Sequence, residues 1–170
     1  MEIKITAGEY RGRMIRTPGA GTHPMGARER LALFNMISSW LPGAQVLDAY
    51  AGSGELGIEA ISRGAVGVVF LEQSVAAARI IKENLVALGI NGEVVTSDAA
   101  KFVPDREFDV ILADPPYDDF SVDGVENLTK YLKNDGVLVL SHPGPAPDLQ
   151  GLTLDRTRKY AGAHLSVYTK

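Results

Sequence analysis

The most chemically restrictive residues in this chain are Asp114-Pro115-Pro116-Tyr117. Two consecutive prolines hold the backbone extended and remove two N–H donors. What remains to face a ligand is a pair of acceptors, the Asp114 carboxylate and the Pro115 carbonyl, followed by the flat ring of Tyr117. A planar exocyclic amine needs that combination: two acceptors for its two hydrogens, and an aromatic face on which its base can stack. Held this way, the nitrogen lone pair is turned out of conjugation toward an electrophile, and positioning with preorganised electrostatics supplies most of the rate. Asp114 is also placed to take up the released proton.

A second constellation lies upstream. Gly52-Ser53-Gly54-Glu55-Leu56-Gly57 reads literally as G-x-G-x-x-G, the pattern that brings a dinucleotide pyrophosphate onto a helix N-terminus. Asp48, four residues before Gly52, argues against a phosphate, because a carboxylate beside that helix end repels an anion and welcomes a cation. S-adenosylmethionine fits better. It carries a sulfonium and an ammonium group, has no phosphate, and its carboxylate can use the helix N–H groups. Gly57 then serves close helix packing, and its match to the third glycine is incidental. Glu72, 18 residues after Gly54, is placed to accept from both ribose hydroxyls, a feature that nicotinamide enzymes share. Asp98 is placed to accept from an adenine amino group, to cap the short turn at 99–102, or to do both. With Ala51, Ser53, Gln73 and Ala99 beside them, these residues form the expected cofactor set.

These residues sit at corresponding places in a repeating pattern. Apolar runs at 44–50, 66–72, 93–98, 108–113 and 135–141 read as strands, several of them buried on both faces. Helical periodicity falls between them, from Gly54 to about Arg63, over 74–89 with Ser74 as N-cap and Gly89 as terminator, and over about 122–132. Such β-α alternation gives a parallel sheet with helices on both faces. Asp48, Glu72, Asp98 and Asp114 then share its carboxyl-end rim, where ligands of open α/β sheets bind. Upstream, residues 2–17 read as a hairpin, 18–26 as a loop and 27–40 as a helix with Leu31, Leu33, Phe34, Ile37 and Trp40 on its apolar side. Two more strands close the chain, at about 152–158 and 163–168.

The chain has 170 residues, 45% of them hydrophobic, which suits a single globular domain with one sizeable core. It has no cysteine, so disulfides and thiolate metal sites are excluded. His23, His142 and His164 are scattered, which suggests surface residues and no metal site. No secretory signal or membrane-length apolar run is visible, and a cytoplasmic location is expected. The net charge of −4 is unevenly spread. Residues 1–30 carry six basic and three acidic side chains, residues 156–170 four basic and none acidic, and the body between them is strongly acidic. Basic ends on an acidic body point to a polyanion met by the ends.

Beyond these readings, the stretches "AGEYRGR", "THPMGARERLALFN", Val46–Ala65, "DVILADPPY" and "RKYAGAHLSVY" resemble the RsmD-type methyltransferases over essentially the whole chain. The glycine loop is shared with most class I methyltransferases, and D-P-P-Y with amino methyltransferases of several substrates. The N-terminal segment and the helix ending in "ALFN" narrow the resemblance. It implies a class I methyltransferase α/β (Rossmann-like) fold: a seven-stranded sheet of order 3-2-1-4-5-7-6 with one antiparallel strand, plus an N-terminal β-hairpin extension. Residues 1–22 would be that extension and 27–170 the catalytic core. It further implies methylation of guanine N2 in 16S ribosomal RNA or a small-subunit assembly particle, by a monomer using S-adenosylmethionine. Asp114, Pro115, Pro116 and Tyr117 would hold the base, and Arg11, Arg13, Arg28 and Arg30 would contact RNA. The chain departs from the family pattern at His23, Met25, Ala27 and Leu31, and at Ser141, where the fifth strand usually ends in Glu. Adenine N6 methylation, a dinucleotide-dependent oxidoreductase and a noncatalytic RNA-binding factor are the competing readings.

Overall fold

A computed structural model describes residues 1–19, 24–160 and 162–170. The expected loop at 18–26 therefore lies partly outside the described residues, His23 included. Strands β1 (Glu2–Lys4) and β2 (Met14–Arg16) form a two-stranded antiparallel hairpin. Helix α1 (Ala27–Met36) and a short 3-10 turn (Ser38–Trp40) lead into β3 (Gln45–Ala49), α2 (Glu55–Ser62), β4 (Gly67–Glu72), α3 (Val75–Leu88) and β5 (Glu93–Thr96). The second half runs β6 (Phe108–Ala113), α4 (Asp123–Thr129), β7 (Leu132–His142), β8 (Thr153–Tyr160) and β9 (Ala163–Thr169).

The large sheet has the order β5-β4-β3-β6-β7-β9-β8. With the hairpin strands left out of the count, that is the expected 3-2-1-4-5-7-6. Neighbours from β5 to β7 are parallel, and β9 runs antiparallel to both β7 and β8. The chain leaves β3 outward to β5 and returns to β6 on the other side. The switch in strand order therefore falls between β3 and β6, where a crevice opens at the strand ends.

Two apolar layers flank the sheet. On one face α1, α2, α3 and the hairpin bury Phe34, Ile37, Ile58, Ile81, Ile5 and Ile15 against Val46, Phe70 and Val110. On the other, Val125 and Leu128 of α4 pack on Leu47, Ile111 and Leu138. Ser74 caps α3 by accepting from the Ala77 N–H, and Gly89 ends it in the left-handed conformation, as the sequence suggests.

Three elements differ from the sequence reading. The first helix stops at Met36, and its buried stripe is Arg30, Leu33, Phe34 and Ile37, whereas Leu31 is 43% exposed. Helix α4 ends at Thr129, because Leu132 already pairs with Phe108 at the start of β7. His142 is buried at the end of β7, its ring stacked on that of His164 at 5.6 Å, so it is no surface loop residue.

Candidate active site

The carboxyl ends of β3, β4, β5 and β6 open into one cleft of about 800 Å³. Its lining brings together all the residues expected to hold cofactor and base: Asp48, Ala51, Gly52, Ser53, Glu72, Gln73, Asp98, Ala99, Asp114, Pro115, Pro116 and Tyr117, with Gly54 at the turn into α2 just behind. Seven lining residues are acidic, with Glu29, Glu55 and Asp118 joining the four at the strand ends. No Lys or Arg lines it among the described residues.

Each acid is held differently. Asp48 is 1% exposed, and one carboxylate oxygen accepts from the Gly57 N–H at 2.8 Å. Gly57 serves the close helix packing expected of it. A Cβ there would lie 2.3 Å from the Phe70 ring and 2.9 Å from the Asp48 carboxylate, so only glycine lets α2 sit on both. Burial, opposed by that hydrogen bond, pushes the Asp48 carboxyl well above its ordinary range, and Glu55, Asp114 and Glu72 push it further. Glu72 clamps the glycine turn: its two oxygens accept from the Gly52 and Ser74 N–H groups, each at 2.8 Å. A carboxylate oxygen has two acceptor sites, so each keeps one for a further donor. Asp98 is exposed and accepts from the Ala100 N–H at 2.9 Å, which is the turn-capping geometry, leaving its second oxygen free of that bond.

At the other end of the cleft stands Asp114, directly after β6. Burial raises its carboxyl to about 6, with a hydrogen bond from Ser141 opposing. Ser141 is 2% exposed at the end of β7, and its hydroxyl also bonds the Tyr117 phenol. The register that pairs Ala113 with Leu140 sets it beside Asp114. One hydroxyl thus ties the carboxylate and the aromatic ring together. Burial raises the Tyr117 phenol as well.

Of the lining residues outside the expected set, three bear on the chemistry. Glu55, 7% exposed at the start of α2, accepts from the Met25 N–H at 2.6 Å, and burial raises its carboxyl to about 7 despite Arg30 nearby. Tyr50 adopts a left-handed backbone (φ 61°) between β3 and the glycine turn, a strained conformation that clusters at functional sites. Ser141 is the third. Only Ser141 carries a sequence signal, as a departure from the family pattern.

The arginines expected to meet RNA divide. Arg11, Arg13 and Arg28 are exposed. Arg30 is not: it is 3% exposed, donates to the Met25 carbonyl at 2.9 Å and the Lys4 carbonyl at 2.8 Å, and lies 3.5 Å from Glu59. Its position three, four and seven residues before Leu33, Phe34 and Ile37 aims it inward. It ties the hairpin to α1 and α2 and is not offered to a phosphate. Among the described residues no three His, Asp or Glu side chains are placed to hold a metal ion.

Strand order, glycine turn and the D-P-P-Y segment after β6 together define the class I methyltransferase fold. Residues 3–169 match the family described as "Conserved hypothetical protein 95". A protein of Escherichia coli named "Ribosomal RNA small subunit methyltransferase D" is 37% identical over 120 residues, 68% of this chain and 61% of that one. The chain thus spans under two thirds of that relative's length in the match. YlbH of Bacillus subtilis, provisionally named an rRNA methyltransferase, is 30% identical over 99% of both chains. The solved structure of E. coli yhhF, provisionally called a methyltransferase, superposes with a TM-score of 0.89 at 28% identity, covering 100% of this chain and 98% of the other. The chain belongs to this family, that of the RsmD-type methyltransferases.

Proposed function

We propose that this protein methylates the exocyclic N2 amine of a guanine in 16S ribosomal RNA, with S-adenosylmethionine as donor. The observation that carries the reading is the charge of the cleft. Seven acidic side chains and no Lys or Arg among the described lining residues make it hostile to a pyrophosphate and suited to a cationic cofactor. Burial holds the carboxyls of Asp48, Glu55 and Asp114 above their ordinary range, so each gains from a neighbouring positive charge.

The residues present fit the group. Asp48 and the N-terminal turn of α2 would meet the amino-acid end, Glu72 the ribose hydroxyls and Asp98 the adenine amine, with Ala51, Gly52, Ser53, Gly54, Gln73 and Ala99 forming the surrounding wall. When bound, S-adenosylmethionine supplies an electrophilic methyl group. The chain's own residues supply the rest. Asp114 and the Pro115 carbonyl accept the two amine hydrogens of the base, Pro116 keeps that carbonyl pointed at the cleft, and Tyr117 stacks on the ring. Once the nitrogen has four bonds it sheds a proton, and the Asp114 carboxylate is the acceptor within reach. The base must leave its stack to enter, so an unpaired guanine is the natural substrate. Arg11, Arg13 and Arg28 are the proposed phosphate contacts of the N-terminal region. The reading places the protein in the cytoplasm, as a monomer acting on ribosomal RNA or on a small-subunit assembly particle.

The test is donor and product chemistry on purified protein. Calorimetry with S-adenosylmethionine should show binding, and fluorescence titration with NADH should show none. Tight NADH binding without donor binding would favour an oxidoreductase and sink the reading.

A further inference from the structure

The RNA backbone cannot follow its base into a cleft lined by carboxylates, so its phosphates must be met at the margin. The β8–β9 hairpin reaches that margin, because Ala163 and Leu165 of β9 form part of the cleft lining. In an antiparallel pair, residues directly opposite each other point to the same face. Arg158 pairs with Leu165 and Tyr160 with Ala163, so both stand on the cleft face of the sheet, one strand further out. Arg156 pairs with Val167, which shares that face with Leu165.

This alignment depends on an irregularity. Leu154 pairs with Tyr168, which belongs to the layer on the opposite face, yet Arg156 pairs with Val167. Two residues of β8 are passed for one of β9, so the register slips at Asp155. A one-residue slip moves every following side chain to the other face. Without it, Arg156, Arg158 and Tyr160 would continue the Leu154 row on the far side. With it, they turn toward the cleft, and Lys159, paired with His164, turns away. Residues Thr153–Lys159 of this edge strand are exposed, and Tyr160 is half-buried against the core. Arg156 makes a surface ion pair with Asp155 at 2.6 Å, of a kind easily exchanged for a phosphate.

We propose that β8 is an RNA-docking strand, in which Arg156 and Arg158 hold the backbone phosphates of the single-stranded segment flanking the methylated guanine and Tyr160 marks the inner end of the track. This rests on the reading of the cleft as an RNA methyltransferase site.

Neighbouring residues supply the test. Arg158→Ala and Lys159→Ala remove the same charge one position apart, on opposite faces of one strand. Each variant is titrated with unmodified 16S ribosomal RNA at several salt concentrations, and its donor affinity is measured by calorimetry. Arg158→Ala should weaken RNA binding by roughly three- to tenfold and lower the salt slope by about 0.7, with donor affinity unchanged. Lys159→Ala should change RNA affinity by less than about twofold. Equal losses from the two variants, or a loss from Arg158→Ala with an unaltered salt slope, would overturn the docking strand. Wild-type turnover on the same RNA keeps that outcome distinct from failure of the enzymatic reading, in which the unaltered protein methylates nothing.

Discussion

The cleft and the basic outer surface handle charge in opposite ways. In the cleft, Asp48 and Glu55 are under a tenth exposed, Asp114 is raised by burial, and backbone N–H groups are the partners of Asp48, Glu55 and Glu72. Outside the cleft, Arg11, Arg28 and Arg158 stand exposed to solvent. Buried charges interact through a poor dielectric, are little screened by salt and shift in pKa. Exposed arginines are screened by salt. Donor binding should therefore answer to pH and RNA binding to ionic strength.

The largest break in that scheme should come from Asp114→Ala, which lies where the two halves of the reaction meet. Turnover should fall by about 100-fold or more, while donor affinity by calorimetry stays within about threefold. Near-normal turnover would show that Asp114 does not hold the reacting amine. Next in size is the salt response. Between about 50 and 200 mM salt, affinity for 16S ribosomal RNA should drop by about tenfold or more, and donor affinity by less than about twofold. Similar slopes for the two ligands would erase the contrast.

The pH response should be the mirror image. Protonation removes the negative charge that attracts a cationic donor, and Glu55 and Asp114 take up protons near 7 and 6 in the free cleft. Donor affinity should thus fall as pH is lowered from about 8 to 5.5, by about tenfold, while RNA affinity hardly moves. Glu55→Gln should flatten the upper part of the donor profile. A donor affinity independent of pH would contradict the raised carboxyls. The smallest expected effect sharpens the acceptor end. The Ser141 hydrogen bond favours the charged form of Asp114, so Ser141→Ala should move the acid limb of kcat/KM upward from about 6 by a fraction of a pH unit. Ser141→Thr, which keeps the hydroxyl, should restore it.

What the sequence made legible follows from what its signals are made of. Strand ends and helix starts are marked by local chemistry, so the four carboxylates at strand ends and the glycine turn could be placed on one rim before any coordinates. Periodicity also held the answer for Arg30, which occupies the inward position of the Leu33, Phe34 and Ile37 stripe. Its charge suggested a surface role, whereas the buried Glu59 carboxylate and two backbone carbonyls satisfy it inside. Glu55 was not legible as a site residue and Ser141 only as a departure from the family pattern, because their partners Met25 and Tyr117 lie 30 and 24 residues away. The register slip at Asp155 was invisible for a related reason. An unbroken alternation of Leu154, Arg156, Arg158 and Tyr160 puts them all on one face, and only pairing with β9 shows that Leu154 faces the other way.

The central claim is the transfer itself, and the most direct measurement is a nucleoside map. Unmodified 16S ribosomal RNA and immature small-subunit particles are incubated with the protein and isotope-labelled S-adenosylmethionine, digested, and the labelled nucleoside is identified and located by mass spectrometry. The account predicts label in N2-methylguanosine at a single position with the wild-type chain, and none with Asp114→Ala. Label in N6-methyladenosine, or no label in either substrate although the donor binds, would contradict it.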